Sequence, residues 1–82
     1  MQDMILILSR CQAQRFSPKT KKLFFRFHFK GFYNGRKIKE IHVYPTAFVD
    51  LQKGDDYLLW VRSKSVEESV LKVVLMKFKK IE

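Results

Sequence analysis

Acidic residues are scarce in this chain. Eight Asp and Glu stand against 17 Lys and Arg, a formal charge of +9. On so small a surface this charge spreads a positive potential widely, so polyanions are the expected partners, with nucleic acid ahead of an anionic membrane. Cysteine is nearly absent: Cys11 alone excludes an internal disulfide and fits a reducing compartment. Three Gly and two Pro, beside 46 % hydrophobic residues, exclude a low-complexity or disordered chain. Long apolar runs are also missing. The run Met4 to Leu8 is too short for a signal-peptide core and lacks a basic lead-in, and nothing approaches a transmembrane length. The expected location is cytoplasmic, with no membrane partner.

The constellations of enzymes are missing too. Cys11, His28 and His42 are scattered, with no Cys-x-x-Cys or His-Glu-x-x-His spacing and no Gly-rich phosphate loop. Asp55 and Asp56 are adjacent, so in a strand they would point to opposite faces, and they read as a solvated turn. Cys11 falls on an inward parity and reads as a packing residue rather than a nucleophile, which would need a base and an orienting group beside it. No metal, cofactor or enzymatic activity is expected.

Aromatic residues are plentiful: eight Phe, three Tyr and one Trp. The 82 residues make one domain, 1–82, which hides only about 60 % of its unfolded surface on folding and relies on these rings for its core. The segment Leu23 to Lys30 shows how they are deployed. One parity holds Leu23, Phe25, Phe27 and Phe29; the other holds Phe24, Arg26, His28 and Lys30. In a strand the first row turns to a core and the second outward. An aromatic ring beside cations offers a stacking surface next to a phosphate attractor, as in proteins that bind single-stranded nucleic acid.

A first strand runs from Met4 to Phe16 with Ile5, Ile7, Cys11 and Ala13 inward. Ser17-Pro18-Lys19-Thr20-Lys21-Lys22 makes a basic turn into the Phe-rich second strand, where Gly31 marks a bulge that shifts the parity. Asn34-Gly35 predicts a type I′ hairpin into a third strand, roughly Arg36 to Tyr44, ended by Pro45. The segment 46–52 has the length of one or two helical turns, with Thr46 as a cap, closed by Lys53-Gly54-Asp55. Tyr57 to Lys64 reads as a fourth strand with Tyr57, Leu59 and Val61 inward and Leu58, Trp60, Arg62 and Lys64 outward. Val70 to Phe78 is β-branched and apolar like a fifth strand. The alternative is a four-stranded sheet with a C-terminal helix started by the capping box Ser65-Val66-Glu67-Glu68.

On this reading Phe24 and Trp60 stack bases, while Arg26, Lys30, Arg62 and Lys64 meet phosphates beside them. Lys19, Lys21 and Lys22 in the first turn, with Arg36 and Lys37 after the hairpin, extend the basic track. His28 is a surface residue whose charge would add binding at low pH. Phe32 and Tyr33 are either exposed stacking groups or a cap over one end of the core.

The order strand, basic turn, strand, hairpin, strand, short helix, strand, loop, strand resembles the OB-fold, a five-stranded Greek-key barrel. The expected fold is therefore all-β, with one short helix between strands three and four. Leu51-Gln52-Lys53-Gly54-Asp55 is similar to the Leu-x-Lys-Gly-Asp/Ser turn of bacterial single-stranded DNA-binding proteins and the related primosomal replication protein. The resemblance implies a cytoplasmic protein that binds single-stranded DNA or RNA, DNA favoured, across strands two to four. It also implies a homo-oligomer, dimer or tetramer, working with replication proteins. The chain is shorter than those proteins and lacks their acidic tail, so the expected setting is replication or recombination of a narrower system, such as a phage or mobile element. Two rivals predict different behaviour: a backbone-only binder of duplex or structured RNA, and a protein–protein adaptor using exposed aromatics and strand edges.

Overall fold

The computed structural model describes residues 4–82. Five strands occupy most of them: β1 (Met4–Ser17), β2 (Lys22–Tyr33), β3 (Arg36–Pro45), β4 (Asp56–Glu67) and β5 (Val70–Ile81). They bond in the order β1-β2-β3-β5-β4, and β4 pairs with β1 to close a barrel. Neighbours are antiparallel except β3 and β5, which run parallel. The result is an OB-like five-stranded barrel.

Alternation builds its interior. Phe25 and Phe27 of β2, Leu59 and Val61 of β4, and Val73 of β5 are fully buried, with Cys11 and Ala13 of β1 beside them. Burial pushes the Cys11 thiol's pKa up, consistent with a packing role. The chain reverses between β2 and β3 through Asn34 and Gly35, both at positive φ (50° and 79°), as a type I′ turn requires.

The bulge expected near Gly31 is present, because the β2–β3 register shifts between His28 and Gly31. The parity change is visible on β3: Ile38 is buried, although it shares a parity with Glu40, His42 and Tyr44 rather than with buried Ile41 and Val43. β2 keeps its own alternation to its end, which divides its last two aromatics. Tyr33 packs against the core and Phe32 is 72 % exposed.

One expectation is corrected. No helix forms between β3 and β4; residues 46–55 are irregular. Val49 packs against the core and Leu51 is buried at 1 %, a spacing of two that suits extended chain rather than a helical face. So short a segment also gains too few helical hydrogen bonds to offset nucleation. It is held instead by the Gln52 N–H donating to the Tyr57 hydroxyl at 2.8 Å and the Gly54 N–H donating to the Cys11 carbonyl at 2.9 Å. The alternative C-terminal helix is absent as well. Ser65, Val66 and Glu67 finish β4, Glu68 turns at φ 55°, and β5 lies between β3 and β4 with Leu71, Val73 and Leu75 inward.

Candidate nucleic-acid interface

The outer face of β2 and β3 meets two loops at one end of the barrel. The β1–β2 loop turns at Lys21 (φ 57°), whose N–H donates to the Ser17 carbonyl at 2.7 Å. Facing it across the strands is the β4–β5 turn at Glu68 and Ser69. Between them lies a cleft of about 730 Å³. In an OB-like barrel this face and these two loops form the place where oligonucleotides and oligosaccharides bind.

Three rings floor the cleft. Phe24 stacks on His42 with centroids 4.8 Å apart and tilts against Tyr44 at 5.3 Å. The bulge sets this arrangement. Counting back from the Asn34-Gly35 turn without it would place Phe24 opposite Pro45, whereas the shifted register pairs Phe25 with Val43 and brings Tyr44 alongside Phe24. Glu40 holds the His42 ring at 2.8 Å.

Lysines line the same cleft: Lys19 and Lys22 from the first loop, Lys64 from β4 and Lys72 from β5. The Lys64 ammonium sits 4.9 Å from the Tyr44 ring centre, within cation–π range. Lys72 is brought in by the parallel ladder, which pairs it with His42. Its ammonium binds Glu67 at 2.8 Å. The hydrogen bond and charge of Lys72 hold the Glu67 carboxyl below its usual range, and the same hydrogen bond raises Lys72. Among the described residues, Lys19, Lys22 and Lys64 have no carboxylate within ion-pair distance.

A second hollow of about 430 Å³ shares Lys22, Tyr44 and Lys64 with the cleft and runs on to Thr46 and Phe48. Phe48 is 90 % exposed. The continuous surface thus carries rings at Phe24, His42, Tyr44 and Phe48.

The sequence-predicted residues divide into three groups. Phe24, Lys19, Lys22 and Lys64 come together in the cleft, with Lys21 at the turn of its loop. Arg26 and His28 continue outward along β2, Arg26 opposite His42 and His28 opposite Glu40, in a smaller separate hollow. The rest lie elsewhere. Trp60 is half-buried on β4 between Leu6 of β1 and Lys77 of β5, whose ammonium is 4.9 Å from its ring centre. Arg62 pairs with Met4 and Val74, Lys30 lies in the bulge, and Arg36 and Lys37 follow the hairpin turn at the far end of β2. Phe24 and Trp60 therefore do not share a cleft.

Sequence reasoning missed His42, Tyr44, Lys72 and Phe48. The first two were legible as the outward parity of β3, and Phe48 as an aromatic in a loop. Lys72 depends on the β3–β5 pairing, which has no local signal. Among the described residues, no three His, Cys, Asp or Glu side chains cluster to hold a metal ion. No family model, curated protein or solved structure matches this chain.

Proposed function

We propose that this chain binds single-stranded nucleic acid with little sequence preference, DNA ahead of RNA as in the family it resembles, in replication or recombination. The observation that carries the proposal is the Phe24–His42–Tyr44 cluster, set between two loops and edged by Lys19, Lys22 and Lys64. Lys19, Lys22 and Lys64 capture phosphates; Phe24 and Tyr44 take the faces of bases; Phe48 receives the strand where it leaves. Every base has a π-face, so stacking tolerates any sequence. In a duplex those faces are covered by neighbouring base pairs, which makes the cluster selective for unpaired strands.

The test is a titration with labelled single-stranded and duplex DNA of equal length, at low and near-physiological salt, with the emission of Trp60 read in parallel. Single-strand binding that survives the higher salt and leaves Trp60 emission nearly unchanged supports the cleft. Equal, weak binding to both forms that vanishes with salt means that only the charge is acting. Strong quenching of Trp60 places the bases on β4 and defeats this assignment.

A further inference from the structure

β1 serves two neighbours in turn. Residues Met4 to Arg10 ladder with β4, and from Cys11 onward the strand ladders with β2. The β1–β2 ladder begins at the Cys11–Phe27 pair, so among the described residues β2 beyond Phe27 has β3 on one side and no strand on the other. The strands part where the Ser9 hydroxyl donates to the His28 carbonyl at 2.7 Å. Between the parted edges is an apolar cleft of about 280 Å³, with Ile5, Ile7, Phe29, Tyr33, Ile41 and Leu71 in its lining. Among the described residues, no carboxylate lines it. Leu6, Leu8 and Phe32, also in the lining, are more than half exposed.

Unpaired strand edges are templates for another strand, and proteins ordinarily cover or charge them. Here the β2–β3 hairpin that borders the seam carries Lys30, Arg36 and Lys37, all exposed. We propose that the seam binds an extended peptide of a partner protein, one that alternates apolar side chains with carboxylates and adds a strand between β1 and β2. Its main chain would pair with the free edges, its apolar row would fill the cleft, and its carboxylates would meet the hairpin cations. A second copy of this chain is the poorer occupant, because each copy carries +9 and the hairpin beside the seam is itself cationic. The seam lies at the opposite end of the β2–β3 hairpin from the Phe24 cleft, so this site stands independently of nucleic-acid binding.

The experiment is fluorescence anisotropy of the full chain with a labelled peptide of alternating Glu and Val, about six residues long, the length of an ordinary strand. Three comparison peptides go with it: one with Lys in place of Glu, and two N-methylated on alternate residues in opposite parities. The Glu peptide should bind, and the Lys peptide should bind at least about tenfold more weakly. N-methylation in either parity should cost about tenfold or more, since the alternate amides of a strand held between two edges face β1 and β2 in turn. Phe32→Ala, at an exposed position, should weaken the Glu peptide without displacing a bound oligonucleotide, and Lys30→Glu should weaken the Glu peptide while strengthening the Lys peptide. Failure of the Glu peptide to bind, equal affinity for all four peptides, or a dimer whose seam amides are already protected from hydrogen exchange would each overturn the proposal.

Discussion

Replacing Phe24 with Ala separates stacking from charge. The ring lies on His42 and Tyr44, and a base resting on it is typically worth about 1–3 kcal/mol by alanine substitution. Tyr44 stays behind to offer part of the platform, so the lower half of that range applies, and affinity should fall about tenfold. No charge is removed. The slope of log affinity against log salt should therefore match wild type, whereas Lys64→Ala should flatten it by about 0.7 for the phosphate it neutralises. Folding is affected only modestly. Full truncation of a core Phe costs about 3–5 kcal/mol, and Phe24 is half-buried, so about 1–2 kcal/mol is expected. Against a domain stability of about 5 kcal/mol or more, such a variant remains folded, and its lost affinity cannot be blamed on unfolding. Anisotropy with a labelled thymidine oligonucleotide across a salt series, beside a chemical denaturation curve, reads all three quantities. Wild-type affinity in Phe24→Ala at every salt concentration would refute the stacking argument.

Glu67→Gln should free Lys72 for a phosphate, raising affinity several-fold and steepening the salt slope by about 0.7; unchanged titrations would show that Lys72 does not reach the ligand. The wild type should gain the same affinity only at acid pH, because the Glu67 carboxyl is held below the usual carboxylate range of about 4. The ion pair's contribution to stability runs the same way: it is present above the unfolded-state pKa and lost as pH falls through the depressed folded value. Leu51→Ala should cost about 2–5 kcal/mol in chemical denaturation while oligonucleotide affinity holds, since Leu51 closes the core away from the cleft. A near-wild-type midpoint would mean the 46–55 segment does not seal the barrel. Gly31→Ala places a Cβ 2.9 Å from the Phe29 ring, which must shift within the seam. It should weaken the acidic peptide and spare the oligonucleotide; a wild-type peptide titration would detach Phe29 from that site.

The strands were legible because each carries its own alternation. Phe25 and Phe27, or Leu59 and Val61, are buried because their neighbours in sequence are not, a pattern readable without any knowledge of partners. The Asn34-Gly35 turn was legible for the same local reason. The segment 46–52 misled because length and a capping residue permit a helix, while the spacing of Val49 and Leu51 requires extended chain. Half of the cleft was readable: Phe24 and the lysines around it lie on or beside one alternating strand. The other half was not, since His42 and Tyr44 reach Phe24 through a register shift and Lys72 arrives from a strand some 30 residues away in sequence. Trp60 and Phe24 lie apart because β2 and β4, which carry the same outward pattern, are not neighbours in the barrel order.

That separation assigns different work to different cations. At physiological salt the field of an exposed charge fades over about 8 Å. Arg36 and Lys37 lie some nine residues along β2 from the level of Phe24, about 30 Å of extended strand, so they cannot hold a phosphate that sits beside that ring. They can only raise the rate of encounter with a polyanion, as the whole +9 does. Lys19, Lys22 and Lys64 line the same cleft as the rings, so on the proposed function they would act on the bound state, together with stacking that salt does not screen. On the proposed function, charge spread over the barrel would govern how quickly a strand arrives, and the few groups in the cleft how long it stays. If both proposals hold, the Arg36 and Lys37 end of the hairpin, out of reach of an oligonucleotide seated at Phe24, is left to the carboxylates of the peptide proposed for the seam.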